Sequence, residues 1–254
     1  MIKMKFDSQK DLNAVKMTLG NISFANDTGV ILYFDETTIK AYPASSSKIQ
    51  VANICINIKD IATEYSIDEA QSVGIIDIAS FLQCFDAFGE GVEIDFDGEK
   101  FTMSDSTGTS KLKYYASMPD NITDCSGIDF NSKFGEPITK FTLDVEQIQR
   151  VLIAFTVLGQ EFINVIGKAG DHEVTLSITN KGDRSNSFEF KLPTDIEVST
   201  DINYLYSKDH LLAYFGYSRY NSKPDFDFSI MGPMLGCSIN TDEFGVSYYV
   251  ARKS

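Results

Sequence analysis

The chain has 254 residues, 43% of them apolar and 23% charged, with a net charge of −14. That length fits one large domain or two of ordinary size, and the acidic balance excludes a body that grips nucleic acid with its whole surface; such contact needs a local basic face. No apolar run approaches the roughly 20 residues of a membrane helix, and the start MIKMKFDSQK has no apolar stretch of the signal-peptide kind, so an intracellular place is expected.

Residues 2–6 alternate as a short strand. Ser8 then precedes a helical pattern with Asp11 three residues on, a capping-box spacing. Leu12, Val15 and Leu19 line one face of that helix, Lys10, Asn13 and Met17 the opposite face, and Lys16 a flank. Residues 21–25, 29–34, 38–42 and 49–58 read as strands, with turns at 26–29 and 35–37. After a strand at 73–76, Asp77 caps a helix whose core face is Ile78, Phe81, Leu82, Phe85 and Phe88. Its outer face, Ala79, Gln83, Asp86 and Ala87, carries no base. Gly89-Glu-Gly91 reads as a helix-to-strand turn, and residues 92–96, 101–104 and 111–116 as a meander turning at Asp97-Gly98 and Thr107-Gly108.

Residues 117–139 are rich in Asp, Asn, Ser, Gly and Pro and lack both periodicities, which marks an extended connector. Beyond it the elements return. Phe141 and Leu143 end a strand, and Asp144 caps a helix with Gln147 at the third position. Val145, Ile148, Leu152 and Phe155 form its core stripe, while Glu146, Arg150, Ile153 and Val157 face away. Strands follow at 162–166, 173–179, 187–192 and 201–206; Ser207 caps a last helix burying Leu211, Leu212 and Phe215; residues 226–231, 236–240 and 246–251 close the chain.

Three pairs of segments match in the same order, about 130 to 136 residues apart: 8–19 with 144–155, 77–88 with 207–217, and 111–116 with 245–251, the last pair sharing Tyr-Tyr. Matched order at a near-constant offset marks duplicated units. The expected organisation is therefore a domain over 1–117, a connector over 118–138 and a second domain over 139–254. Each domain lays short amphipathic helices on antiparallel sheets, an α+β class. The outer faces of four helices are left free.

Catalytic signatures are missing. His172 and His210 stand far apart, and no HExxH, GxSxG or Walker loop occurs. Cys55, Cys84, Cys125 and Cys237 form no CxxC pair and suggest neither zinc nor a disulfide framework. Asp95 with Asp97, and Asp225 with Asp227, each share a strand face and could hold a hard cation; they also suit solvent-facing positions beside turns. No metal, cofactor or catalytic residue is expected.

Two helices per half on antiparallel sheets, with the half repeated across a long connector, resembles a DNA polymerase sliding clamp. The closing stretch Val246-Ser-Tyr-Tyr-Val-Ala-Arg-Lys253 looks like the terminal strand and tail of proliferating cell nuclear antigen. Phe34-Asp35-Glu36-Thr37-Thr38-Ile39 resembles its first-domain loop, and Met231-Gly-Pro233 falls where that family has a proline beside its partner pocket. Residues 142–158 resemble the second-half helix of T-even phage clamps, which points to a phage or viral version.

The resemblance implies a closed homotrimer whose helices line a hole around duplex DNA. DNA contact would then come from Lys10, Lys16, Arg150, Lys208, His210 and Arg219, with Asn13, Gln83, Gln147 and Tyr217 as neutral companions. Subunits would join edge strand to edge strand, through Leu112 and Tyr114 of one and Phe188 and Phe190 of the next. Polymerase and clamp loader would dock short peptides near Phe34, Ile39, Pro233, Tyr249, Val250 and Ala251, under a connector carrying Ile122, Ile128, Phe130 and Phe134. The function implied is a non-catalytic processivity factor in the host cytoplasm, or in the nucleus for a eukaryotic source. The competing readings are an accessory that binds DNA on one face without closing a ring, a metal-dependent hydrolase built on the paired Asp residues, and a β-rich virion protein.

Overall fold

The computed structural model describes the chain except residues 26, 27, 89, 90, 180–185, 221, 222 and 254, and the side chains of Gln9, Ser23, Phe130 and Asn131. Part of the first expected turn and of the turn at 89–91 therefore lies outside the described residues. The chain forms two compact units, one of residues 1–126 with 241–246 and one of residues 127–240 with 247–254.

In the first unit β1 (Ile2–Phe6) runs into α1 (Gln9–Gly20), where the Ser8 hydroxyl accepts the Asp11 backbone N–H. Residues 23–25, expected in a strand, form a 3-10 turn instead. The Ala25 carbonyl accepts the N–H groups of both Thr28 and Gly29, and Gly29 takes φ 75°, so the chain doubles back before it can extend. Then come β2 (Val30–Phe34), β3 (Thr38–Ala41), β4 (Gln50–Asn57), α2 (Ile58–Ile61), β5 (Glu64–Ile67), β6 (Gln71–Ile75), α3 (Ile78–Asp86), β7 (Val92–Phe96), β8 (Lys100–Ser104) and β9 (Lys111–Tyr115). One sheet runs β5-β1-β7-β8-β9 and another β6-β2-β3-β4. The sequence pattern predicts no element over 59–72. β5 is an edge strand with no buried side chain, so no apolar alternation announces it.

Asp35 shapes the turn between β2 and β3. Its carboxylate accepts the N–H groups of Thr37 and Thr38, the Thr38 hydroxyl and the Lys40 ammonium. Partial burial pushes its pKa up, but these bonds outweigh that and hold the carboxyl well below its ordinary 3.8. A depressed carboxyl contributes stability fully above the unfolded pKa and loses it as pH falls through the folded one. Asp35→Asn is expected to lower the thermal midpoint at neutral pH, and the gap to the parent should begin to narrow as pH falls below about 4.

In the second unit α4 (Phe130–Phe134) interrupts the expected connector, and β10 (Thr139–Leu143) leads into α5 (Val145–Leu158). Asp144 and Gln147 complete a reciprocal capping box, and Gly159 closes the helix at φ 61°. The elements β11 (Phe162–Gly167), β12 (Glu173–Thr179), β13 (Ser187–Pro193), β14 (Ile202–Ser207), α6 (Lys208–Phe215), β15 (Phe226–Met231), β16 (Met234–Asn240) and β17 (Phe244–Ala251) follow. Val151 is buried beside Ile148 and Phe155, and the expected Leu152 is half-buried. On α6 Tyr214 is buried and Leu212, expected inside, is 43% exposed. Ser207 precedes that helix without a side-chain capping bond.

The two units share one topology. The order β9-β8-β7-β1 of the first matches β17-β16-β15-β10 of the second, and β4-β3-β2-β6 matches β13-β12-β11-β14. Residues 241–246, expected in the second domain, group with the first unit. There the Asn57 N–H reaches the Glu243 carbonyl at 2.8 Å, its side chain donates to the Asp242 carbonyl, and the start of β17 neighbours β4.

Candidate functional site

The helices present a mixed face. Lys10 and Asn13 on α1, Gln83 on α3 and Arg150 on α5 are exposed, as is Arg219 in the 3-10 turn after α6. Lys16 is half-buried, and its ammonium is paired with Asp86 of α3. Gln147 spends its carbonyl oxygen on the Asp144 N–H. Lys208 lies 5.8 Å above the Phe155 ring. His210 is half-buried, and that burial lowers its pKa against the opposing pull of Asp209, which keeps the imidazole neutral at pH 7.

Tyr217 corrects the sequence reading. It is wholly buried, its hydroxyl 3.0 Å from that of Tyr248, so it has no surface to offer DNA. It follows α6 in the chain, but its ring packs with Tyr248 in the core of the second unit. Sequence reasoning also missed that Asp86 takes the Lys16 ammonium. With Glu146 and Asp209 exposed as well, acids nearly balance bases over these helices, and Ile153 and Val157 are 61% and 75% exposed.

The start of the connector lies on the first unit. Gly74 and Ser117 exchange backbone hydrogen bonds, Tyr33 donates to Asp124, and the Cys125 N–H reaches the Tyr42 carbonyl. Ile122 is buried against Gly74, where a Cβ would stand 2.9 Å from its terminal methyl and 2.7 Å from the Ser117 carbonyl oxygen; only glycine fits. Phe34 and Ile39 are also buried. In the second unit Val250 is wholly buried, Ile128, Tyr249 and Ala251 are half-buried and Pro233 is exposed; the Phe130 side chain lies outside the described residues. Tyr249 borders a cavity of about 550 Å³ floored by Ser229, Ser238 and Ser247. Phe34, Ile39 and Ile122 are thus core residues of the first unit and Val250 of the second, and in the second unit exposed surface comes from Pro233, Tyr249, Ala251 and Ile128.

Two strand edges carry the expected joining residues. Among the described residues β9 ends its sheet and pairs only with β8, and β13 ends its own and pairs only with β12. Leu112, Tyr114, Phe188 and Phe190 are half-exposed, Tyr114 packing 5.1 Å from Phe81 and Phe188 lying 6.3 Å from Phe190.

The paired aspartates have local duties. Asp97 caps the β7–β8 turn through the N–H groups of Glu99 and Lys100 and pairs with the Lys100 ammonium at 2.8 Å. Asp227 accepts the Thr142 hydroxyl. Among the described residues no group of three or more His, Cys, Asp or Glu side chains is placed to hold a metal, and no helix is long and apolar enough to cross a membrane.

No family model matches the chain. A sliding clamp of Vibrio phage KVP40 is 27% identical over 139 residues, 54% of this chain; the matched stretch spans 61% of that relative's length. Among solved structures, the A. fulgidus PCNA with the C-terminal region of FEN-1 bound superposes with a TM-score of 0.77 at 15% identity, covering 100% of this chain and 99% of that one. PCNA from Entamoeba histolytica gives 0.74 at 14%, over 100% and 99%. The PCNA2–PCNA3 complex of Sulfolobus tokodaii gives 0.71 at 14%, over 99% of each chain. The fold is the PCNA-type clamp fold.

Proposed function

We propose that this chain is the subunit of a homotrimeric sliding clamp, a non-catalytic processivity factor that encircles duplex DNA and tethers polymerase and loader through short peptides. One observation carries the reading. Within the first unit the edge of β4 is covered by the start of β17. The topological equivalents of those strands, β13 and β9, are edge strands with no further strand beside them among the described residues. A second copy that repeats the β4–β17 arrangement therefore covers β13 with its β9. Such a head-to-tail contact uses two different surfaces and closes into a ring when the rotation allows.

The phage clamp's likeness supports the function, and the FEN-1 segment bound to a structural neighbour supports peptide docking. Docking here is assigned to Tyr249, Pro233, Ala251 and Ile128 of the second unit, with Val250 in the core of the same unit. Loaded onto a nicked circular plasmid, the protein should stay bound through gel filtration and be lost once the plasmid is cut to a linear form. Equal loss from both would leave an accessory that binds one face of DNA.

The DNA-facing track is assigned to Lys10, Arg150 and Arg219, with Asn13, Gln83 and Gln147 beside them and Lys16 and Lys208 contributing less. A nearly neutral track touches phosphates loosely and reads no bases, which suits sliding. Reversing Lys10, Arg150 and Arg219 to Glu should reduce loading and flatten the dependence of log K on log salt by roughly 0.9 for each phosphate no longer neutralised. The thermal midpoint should not change. Unaltered loading would remove these residues from the track.

A further inference from the structure

We propose that Lys113 and Glu189 form an ion pair between neighbouring copies of the chain that sets the register of the joint and rejects wrong pairings; this rests on the ring reading above. Leu112 and Tyr114 lie opposite Met103 and Phe101 of β8, both buried, so they occupy the core face of their sheet. Phe190 and Phe188 lie opposite Leu176 and Ile178 of β12, also buried. Side chains alternate along a strand, so Lys113 and Glu189 stand on the opposite, solvent faces. Both are exposed, and their cross-strand neighbours, Thr102 and Ser177, are uncharged. Neither is in an ion pair of 4 Å or less among the described residues.

The direction of the joint follows from its internal counterpart. The N–H of Asn57, the last residue of β4, bonds the carbonyl of Glu243, just before β17 begins, so those strands run antiparallel. An antiparallel β9 against β13 that brings the apolar rows together sets Leu112 opposite Phe190 and Tyr114 opposite Phe188. Lys113 then falls opposite Glu189. A parallel joint with the apolar rows matched gives the same pair. In the antiparallel register Lys191 of β13 falls opposite Lys111, a like-charge contact that is offset because Glu173 already pairs with Lys191 at 2.8 Å.

The same charges oppose incorrect partners. Two β9 edges brought together antiparallel about Lys113 set lysine against lysine, and two β13 edges about Glu189 set carboxylate against carboxylate. Like charges directly opposite destabilise a strand pair, and opposite charges stabilise it. The two edges thus prefer each other over themselves, as head-to-tail closure requires.

The test is a sedimentation series at low salt on the full chain, its Lys113→Glu and Glu189→Lys variants, and the double exchange. Each single variant should need a concentration about tenfold higher to assemble, the double exchange should return close to the parent, and added salt should narrow the differences. Thermal midpoints confirm that all four proteins are folded, since both positions are exposed. If the parent is trimeric and the single variants match it, or the double exchange does not recover, the pair is wrong and the ring stands. If the parent is monomeric throughout, the ring reading fails and the pair with it.

Discussion

Replacing Phe188 and Phe190 together by Asp is expected to yield a folded monomer that no longer stimulates its polymerase. The two rings are half-exposed on β13, which among the described residues has β12 as its one neighbour in the sheet. Burying such a ring against a partner contributes about 1.5–3 kcal/mol, and a carboxylate in its place must be desolvated against the apolar Leu112–Tyr114 row. With two rings in each joint, assembly should be lost over the whole micromolar range. The fold should survive, because the central strands β12 and β11 keep their pairing and Leu192 stays buried. A variant that remains trimeric would place the joint elsewhere.

The second large effect separates support from surface around the proposed docking site. Val250 has no exposure, and Val250→Asp buries a carboxylate with no partner, a change expected to cost more than about 4 kcal/mol and to unfold the second unit. Ile39→Asp should damage the first unit in the same way. Tyr249→Ala combined with Pro233→Ser removes side chains that reach solvent. That pair should leave the trimer intact, with at most a small change in thermal midpoint, while abolishing clamp-dependent primer extension. Full extension by this double variant would move the docking site elsewhere.

Why sequence alone points to Ile39 and Val250 as pocket walls is physical. Alternation on a strand separates two faces but does not say which face is core when both carry apolar groups. In β17, Val246, Tyr248 and Val250 point into the core and Gly245, Ser247, Tyr249 and Ala251 the other way, and Tyr249 is as apolar as its neighbours. Tyr217 is misread for another reason: it falls in the 3-10 turn just past α6, where the helical stripe has ended and no longer separates inside from outside. Helices are plainer. The caps at Ser8, Asp77 and Asp144 and the 3.6-residue stripes place α1, α3 and α5, and each cap accepts the expected backbone N–H. The edge strand β5 and the short helices α2 and α4 bury too little to leave a periodic signal. Ion pairs between helices far apart in sequence, such as Lys16 with Asp86, leave none at all. What the repeat does convey is the pairing of equivalent elements, and the uncovered edges of β9 and β13 follow from it.

The most direct test of the ring is the mass of the protein in solution. Light scattering across micromolar concentrations should give three times 28.3 kDa, falling toward the single-chain value only on dilution. A constant 28.3 kDa over that whole range would contradict the closed ring.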